Sequence, residues 1–200
     1  MGRPPRHDVD GLLDAAASLV ADAGPRAVTV AAVARAAGAP SGSVYHRFPS
    51  RPALLAALWL RSLERFQAGF LVAVDQDEPL ASARSAARHV VAWSRANPAD
   101  ATILLYAAAD FDATDWPDED RERHRRGNRQ VARAVGEIGR GLGRTSDRDK
   151  EVVRMAIVDL PYSVVRRHYR SGQRIPRHAE DLAAECAATL LGAGRSGVVT

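Results

Sequence analysis

Apolar residues recur along this chain at steps of three and four, the spacing that brings side chains onto one face of an α-helix. The first such segment contains Val9, Leu12, Leu13, Ala16, Leu19, Val20 and Ala23. Alanine is abundant and runs of β-branched residues are short, so no segment is typical of a β-strand. The pattern predicts an all-α protein.

Capping and helix-breaking residues divide this pattern into separate elements. In the N-terminal region Asp, Thr and Ser precede the apolar segments as N-caps, and Gly or Pro follows them as a stop. Four helices are predicted in this way: one capped by Asp8 and stopped at Gly24-Pro25, one between Thr29 and Gly38, one from Pro40 or Ser41 to Arg47, and one capped by Ser50 that runs to about Val74.

Further helices are predicted over residues 80–96, 99–109, 119–141, 146–170 and 178–191, with an Asp-rich loop at residues 110–118. Pro161 lies inside the fourth of these segments. Because proline has no backbone N–H and its ring clashes with the preceding turn, we expect Pro161 to kink or split that helix.

The second and third predicted helices are short and are joined by a turn that contains Gly38. This layout, over residues 29–48, is that of a helix-turn-helix, whose second helix enters the major groove of DNA. The alternative is a set of packed helices with no DNA partner. Tyr45 and His46 favour DNA binding, because packing poorly explains these two neighbouring side chains on a short helix of otherwise small residues.

Residues 9–58 resemble the DNA-binding region of the TetR family of bacterial repressors. The resemblance rests on Ala23-Gly24, on Thr29-Val30, on the Ala-Arg-Ala-Ala-Gly turn at residues 34–38, and on Gly42-Ser43-Val44-Tyr45-His46-Arg47-Phe48 followed by Ser50-Arg51. It implies an N-terminal three-helix helix-turn-helix domain over residues 1–50, followed by a C-terminal helical ligand-binding and dimerisation domain over residues 51–200. The implied function is a repressor that a small molecule releases from a palindromic operator.

The resemblance also implies a set of DNA-binding residues. Tyr45 and His46 match a pair that contacts the DNA backbone, and Arg51 matches a position where the family usually has a phosphate-binding lysine. Gly42 has no side chain, so the start of the recognition helix can lie close to the DNA. The Ser43 hydroxyl can contact a phosphate or a base edge. The full predicted set is Thr29, Ser41, Gly42, Ser43, Tyr45, His46, Arg47 and Arg51.

Three positions depart from the family pattern. Pro40 stands where a Ser or Thr cap is common, and Ser41 where a lysine is common. Arg47 replaces a common aromatic residue and offers a replacement charge. The departures affect individual DNA contacts more than the predicted fold.

The C-terminal part contains no motif of comparable strength. Its aromatic residues are consistent with an apolar pocket for a small-molecule effector, although plain core packing explains each of them equally well. The candidate pocket residues are Phe66, Phe70, Trp93, Tyr106, Phe111 and Trp116. A homodimer is predicted through the last two long helices, with Val153, Leu160, Val164, Leu182, Cys186 and Leu190 buried or interfacial.

Composition changes this picture little. The 28 Lys and Arg residues include a single lysine, Lys150, as a GC-rich genome would encode, so the net charge of +4 permits DNA binding without demanding it. Cys186 is the only cysteine, which excludes an intrachain disulfide and fits a reducing cytosol. No apolar stretch has the length of a secretory signal or a membrane span, so we expect a cytoplasmic protein with no membrane contact.

Catalytic and metal-binding motifs give no positive signal. The chain has no G-x-S-x-G, P-loop or G-x-G-x-x-G sequence, and no cofactor is expected. The Asp residues at 110, 112, 115 and 118 lack the glycine and terminal glutamate of a calcium loop, so a solvated loop is expected there. The rival hypothesis is a small helical enzyme or protein-interaction module that keeps the helix-turn-helix for its architecture alone.

Overall fold

The structure, a computed structural model, describes residues 8–192. Within that range the secondary structure is helical, with no strand, which confirms the predicted all-α class. The α-helices are α1 (Val9–Ala23), α2 (Val30–Ala37), α3 (Ser41–Arg47), α4 (Arg51–Ala73), α5 (Pro79–Ala96), α6 (Pro98–Leu104), α7 (Asp118–Gly141), α8 (Asp147–Arg154), α9 (Leu160–Arg170) and α10 (His178–Gly192).

The predicted caps are formed as the sequence indicates. The side chain of Asp8 accepts a hydrogen bond from the backbone N–H of Gly11 at 2.7 Å. Thr29 and Ser50 accept equivalent bonds from the residues three positions later, at 3.1 and 3.2 Å. Gly38 ends α2 in the left-handed conformation, with φ 63° and ψ 27°, where a side chain would be strained.

The described chain divides into two compact units. The first contains residues 8–64 and 98–126, and the second contains residues 65–97 and 127–192. Helices α4 and α7 each continue from one unit into the other. The predicted domain boundary after residue 50 does not coincide with the limits of these packing units, and it stays a prediction.

The core of the first unit joins the helix-turn-helix to the start of α4. Helix α1 packs on α2 and α6, and α2 packs on α3. Residues 98–126 contribute Ile103, Phe111 and Trp116 to this core. Its other large buried side chains include Leu12, Leu13, Val20, Val33, Val44, Phe48, Leu54, Leu55 and Leu58.

The second unit is centred on the packing of α5 against α10. Both helices present alanines to the core, including Ala83 and Ala87 on α5 and Ala183 and Ala187 on α10. Small side chains allow two helix axes to approach closely. The ion pair between Arg95 Nε and Glu180 Oε1, at 2.6 Å, links the same two helices.

One element differs from the sequence prediction. Helix α6 ends at Leu104 instead of continuing to residue 109, and short 3₁₀ turns follow at Ala108–Phe111 and Ala113–Asp115. The prediction failed here because buried tertiary contacts override local alanine propensity. The indole Nε1 of buried Trp116 donates to the carbonyl oxygen of Phe111 at 2.7 Å, which stabilises the turns.

The predicted helix over residues 146–170 is split, as expected from Pro161. A π-helical turn, Met155–Asp159, lies between α8 and α9, and Pro161 is the second residue of α9. The wider turn shifts the register, so α9 buries Pro161 and Val165, whereas Leu160 is 37% exposed and Val164 is half-buried. An uninterrupted 3.6-residue period from buried Val153 would place residues 160 and 164 inward.

None of the helices in the described range combines the length and the apolar character needed to cross a lipid bilayer.

Candidate nucleic-acid interface

Helix α3 is fixed to the first unit by one face and presents its other face to solvent. Val44 is fully buried and Phe48, directly after the helix, is almost so. Tyr45 is 54% exposed and His46 is also exposed. The core contacts therefore explain Val44 and Phe48 and leave the Tyr45 and His46 side chains available to a partner.

The N-terminal end of α3 is exposed to solvent and carries small residues. Ser41 and Gly42 are exposed, and a Cβ atom added at Gly42 would meet no other atom within 4 Å. Core packing therefore does not require glycine at this position. Arg47 donates from Nη1 to the backbone oxygen and the hydroxyl oxygen of Ser43, at 3.1 and 2.8 Å, which ties these two side chains to each other on α3.

Thr29 lies at the exposed start of α2, where its hydroxyl oxygen already caps the helix. Its O–H can still donate to a phosphate, as the sequence predicts. No observation tests the DNA contacts of Thr29 or of the α3 residues, so these contacts stay predictions.

Arg51 has partners that the sequence did not predict. Its Nε donates to the carbonyl oxygen of Val28 at 2.8 Å, and its Nη2 donates to that of Pro25 at 3.1 Å. Its Nη1 forms an ion pair with Asp112. A phosphate contact by Arg51, implied by the resemblance, would compete with these three internal acceptors.

Three of the six predicted pocket aromatics lie together in the second unit. The ring of Phe66 is 6.0 Å from that of Phe70 and 5.3 Å from that of Trp93, centroid to centroid. His89 joins this cluster, 5.3 Å from Phe66, and its Nε2 is 3.1 Å from the Phe66 carbonyl oxygen. Burial lowers the pKa of His89, and the Phe66 carbonyl opposes this shift in part.

The other three predicted pocket aromatics belong to the first unit. Tyr106 and Phe111 have ring centroids 6.3 Å apart. Trp116 packs against Trp59 and His124 at centroid distances of 5.5 and 5.8 Å. Desolvation lowers the pKa of His124, and the nearby charge of Arg125 lowers it further.

Sequence reasoning had not assigned His89, His124 or Trp59 to these aromatic clusters. Isolated histidines carry no spacing signal, and Trp59 fits the apolar face of α4. The buried Trp59 indole N–H has no hydrogen-bond partner among residues 8–192. A tryptophan placed only for packing would normally satisfy this donor.

Two carboxylates of the Asp-rich loop have protein partners besides the Arg51–Asp112 pair. Asp110 Oδ2 accepts from the backbone N–H of Ala107 at 2.8 Å, and Asp118 pairs with Arg121. These bonds order the segment that carries Phe111 and Trp116.

The helix-turn-helix matches a known family. Residues 12–58 match the family model described as bacterial regulatory proteins, tetR family. The N-terminal region of this chain is therefore similar to the DNA-binding region of the tetR family. This confirms the resemblance drawn from the motifs of residues 9–58.

One curated relative is the HTH-type transcriptional repressor KstR2 of Rhodococcus jostii, which is 45% identical to this chain over 62 residues. The matched segment is 28% of this chain and 30% of the repressor's length.

Solved structures extend the likeness to nearly the whole chain. The fatty acid degradation regulator FadR of Bacillus halodurans is 17% identical, with a TM-score of 0.70 over 98% of this chain and 99% of that one. FadR of Bacillus subtilis, solved in complex with stearoyl-CoA, is 15% identical, with a TM-score of 0.70 over 96% and 100%. At these identities the likeness shows that this chain shares their fold.

Proposed function

We propose that this protein is a transcription repressor that binds a palindromic DNA operator as a homodimer in the bacterial cytoplasm and is released by a small-molecule effector. The observation that carries the proposal is the division of α3 into a buried face, with Val44, and an exposed face, with Tyr45 and His46. The match to regulatory proteins favours this function over the enzyme or interaction-module hypothesis.

The proposed DNA-binding surface consists of Thr29, Ser41, Gly42, Tyr45 and His46. All five are exposed and all belong to the two helices of the motif or to their caps. Tyrosine, serine and threonine hydroxyls and an imidazole ring are donors that bind phosphate oxygens in protein–DNA complexes. The exposed N-terminal end of α3 would then recognise the bases, because recognition helices contact base edges with their N-terminal residues.

A homodimer is proposed because α10 exposes apolar side chains at a spacing of four residues. Leu182 is 48% exposed, Leu190 is 38% exposed, and Cys186 between them is also exposed. The opposite face of α10 packs on α5. A two-fold dimer would cover this stripe and bind two half-sites about 34–36 Å apart, which is one turn of DNA.

A small-molecule effector is proposed on the strength of a relative. The solved structure of FadR from Bacillus subtilis contains stearoyl-CoA. The aromatic clusters around Phe66 and around Trp116 are candidate contacts for an apolar effector in this chain. An effector releases DNA when it binds better to a conformation whose recognition helices are wrongly placed.

DNA binding is tested with Tyr45→Ala and His46→Ala. The probe is a duplex from the region upstream of the coding sequence, and fluorescence anisotropy gives its Kd. We expect each variant to bind about tenfold more weakly, since a hydrogen bond to a charged group contributes about 1.5 kcal/mol or more and 1.4 kcal/mol is a factor of ten. The melting temperature should remain that of the wild type, because neither side chain is in the core.

Two control variants separate binding from folding. Val72→Ala removes a well-exposed apolar side chain from α4 and should leave both the Kd and the melting temperature unchanged. Phe48→Ala removes a buried ring and should cost about 3–5 kcal/mol of unfolding free energy. Wild-type operator affinity in both α3 variants, or lost stability with intact affinity, would contradict the proposed surface.

A further inference from the structure

The second unit contains a groove that is separate from its aromatic cluster. It lies between the C-terminal part of α7, helix α8 and the π-helical turn, and has a volume of about 800 Å³. This is within the range of small-molecule sites, roughly 300–1,000 Å³. The lining residues are Asn128, Val131, Ala132, Val135, Gly136, Gly139, Arg140, Arg144, Thr145, Lys150, Val153, Arg154 and Val158.

The groove combines an apolar surface with one sign of charge. Four valines, at positions 131, 135, 153 and 158, supply the apolar part. Every charged residue in the lining is a cation: Arg140, Arg144, Lys150 and Arg154. The lining therefore offers charged hydrogen-bond donors to an anion and no carboxylate to a cationic ligand.

The acidic partners of these cations do not line the groove. Lys150 pairs with Asp147 at 2.8 Å, while Arg140 and Arg154 reach Glu137 and Asp159 only at 3.7 Å. The three pairs are exposed, and such pairs contribute about 0–1 kcal/mol each, so these side chains can turn towards a ligand at little cost.

Arg144 is held differently. Its side chain is only 12% exposed, and its Nη2 donates to the carbonyl oxygens of Leu190 and Leu191 at 3.2 and 2.9 Å. Its Nη1 also lies 3.6 Å from Asp149 Oδ1. These contacts hold the Arg144 guanidinium at the lining of the groove, whereas Arg140 and Arg154 can reorient. The π-helical turn forms one end of the groove through Val158, and π turns are frequent at functional sites.

From this arrangement we infer that the groove binds an amphipathic anion, an aliphatic carboxylate whose chain covers the valines and whose charged group meets Arg140 and Arg154. A sugar would leave the valines without apolar contacts, and an aliphatic ammonium would meet four like charges. The inference goes beyond the proposed function, because it assigns a ligand to a groove apart from the aromatic clusters, and it concerns binding to the protein without DNA.

The test is calorimetric titration of the full-length protein with decanoate, decanol and decyltrimethylammonium, each below the concentration at which it forms micelles. We expect saturable binding of one decanoate per chain, binding of decanol at least tenfold weaker, and no binding of the ammonium. The double variant Arg140→Gln/Arg154→Gln should bind decanoate at least tenfold more weakly, at an unchanged melting temperature. Arg133→Gln is the matched control, because Arg133 is an exposed residue of α7 outside the groove.

Several results would overturn the inference. These are the absence of decanoate binding, equal binding of the ammonium, and wild-type decanoate affinity in the double variant. Conversion of a wild-type dimer to monomer by the same double variant would show that a second copy of the chain covers the groove instead. Because no DNA is present, failure of the operator experiment leaves this result unaffected.

Discussion

At the scale of single residues, the ion pair of Arg51 and Asp112 joins the start of α4 to the 3₁₀ turns of the first unit. Asp112 has a φ of 55°, the only positive φ of a non-glycine residue in the described range. Asp tolerates this conformation better than most residues. The Arg51 guanidinium also bridges the carbonyl oxygens of Pro25 and Val28, so one side chain holds two segments of the helix-turn-helix region.

We therefore predict that Arg51→Lys destabilises the protein by about 1–2 kcal/mol. A lysine ammonium cannot reproduce the three bonds that the planar guanidinium makes, and each lost hydrogen bond contributes about 0.5–1.5 kcal/mol. Urea unfolding measures this loss. Asp112→Asn tolerates the same backbone conformation and removes only the ion pair, so its loss should be smaller. Stability of Arg51→Lys equal to the wild type, with weakened operator binding, would instead favour the phosphate contact.

A second residue-scale prediction concerns His89. Burial lowers its pKa below the ordinary value of 6.5, so the folded protein resists a proton that the unfolded chain accepts. The free energy of unfolding is therefore highest above pH 6.5, where the ring is neutral in both states. It decreases as the pH falls from 6.5 towards the pKa of His89 in the folded protein. Thermal unfolding should show a lower melting temperature at pH 5.5 than at pH 7.5.

The variant His89→Gln should flatten this pH dependence, since an amide keeps a hydrogen-bond donor near the Phe66 carbonyl without titrating. An unchanged pH slope would show that His89 is not responsible.

Gly69 should be sensitive to substitution, because a Cβ atom there would lie 2.5 Å from His89 Cε1 and the His89 ring would have to move.

At the scale of elements, the proposed homodimer rests on the exposed apolar stripe of α10. We predict that Leu182→Glu combined with Leu190→Glu converts the dimer to a monomer, because two buried carboxylates on each side of a two-fold interface would face each other without partners. Sedimentation at micromolar concentration gives the mass. Val72→Glu is the matched control at an exposed site of α4. A double variant that remains dimeric would show that the dimer interface does not include this stripe.

Local signals also explain which elements the sequence could predict. Caps such as Asp8 and Thr29 act on backbone groups three residues away, so helix starts could be read from neighbouring residues alone. The family motif identified α3 because Tyr45 and His46 have no packing role. The 3₁₀ turns after α6 depend on burial of Phe111 and Trp116 in the core of the first unit, and the partners of Arg51 lie more than twenty positions away. Neither of these long-range contacts produces a periodic pattern of residues in the sequence.

At the scale of the whole molecule, ligand binding and DNA binding must affect each other equally if the protein is an effector-released repressor. We predict that saturating decanoate weakens operator binding, and that operator DNA weakens decanoate binding by the same factor, within about 5–150-fold. Anisotropy measures the first factor and calorimetry the second. Decanoate that binds without changing the operator Kd would be a ligand of the groove but not an effector.

The π-helical turn between α8 and α9 has a consequence for changes in chain length. A turn closed by i to i+5 bonds holds one residue more than an α-helical turn, in effect an accommodated insertion. Loss of one residue from Met155–Asp159 would leave a regular helix with its two ends still in phase, whereas loss of a residue from α9 itself would rotate everything beyond it by about 100°. Evolution can therefore shorten this long helix at one place without repacking either end, and homologues with a one-residue gap here should keep the same buried face.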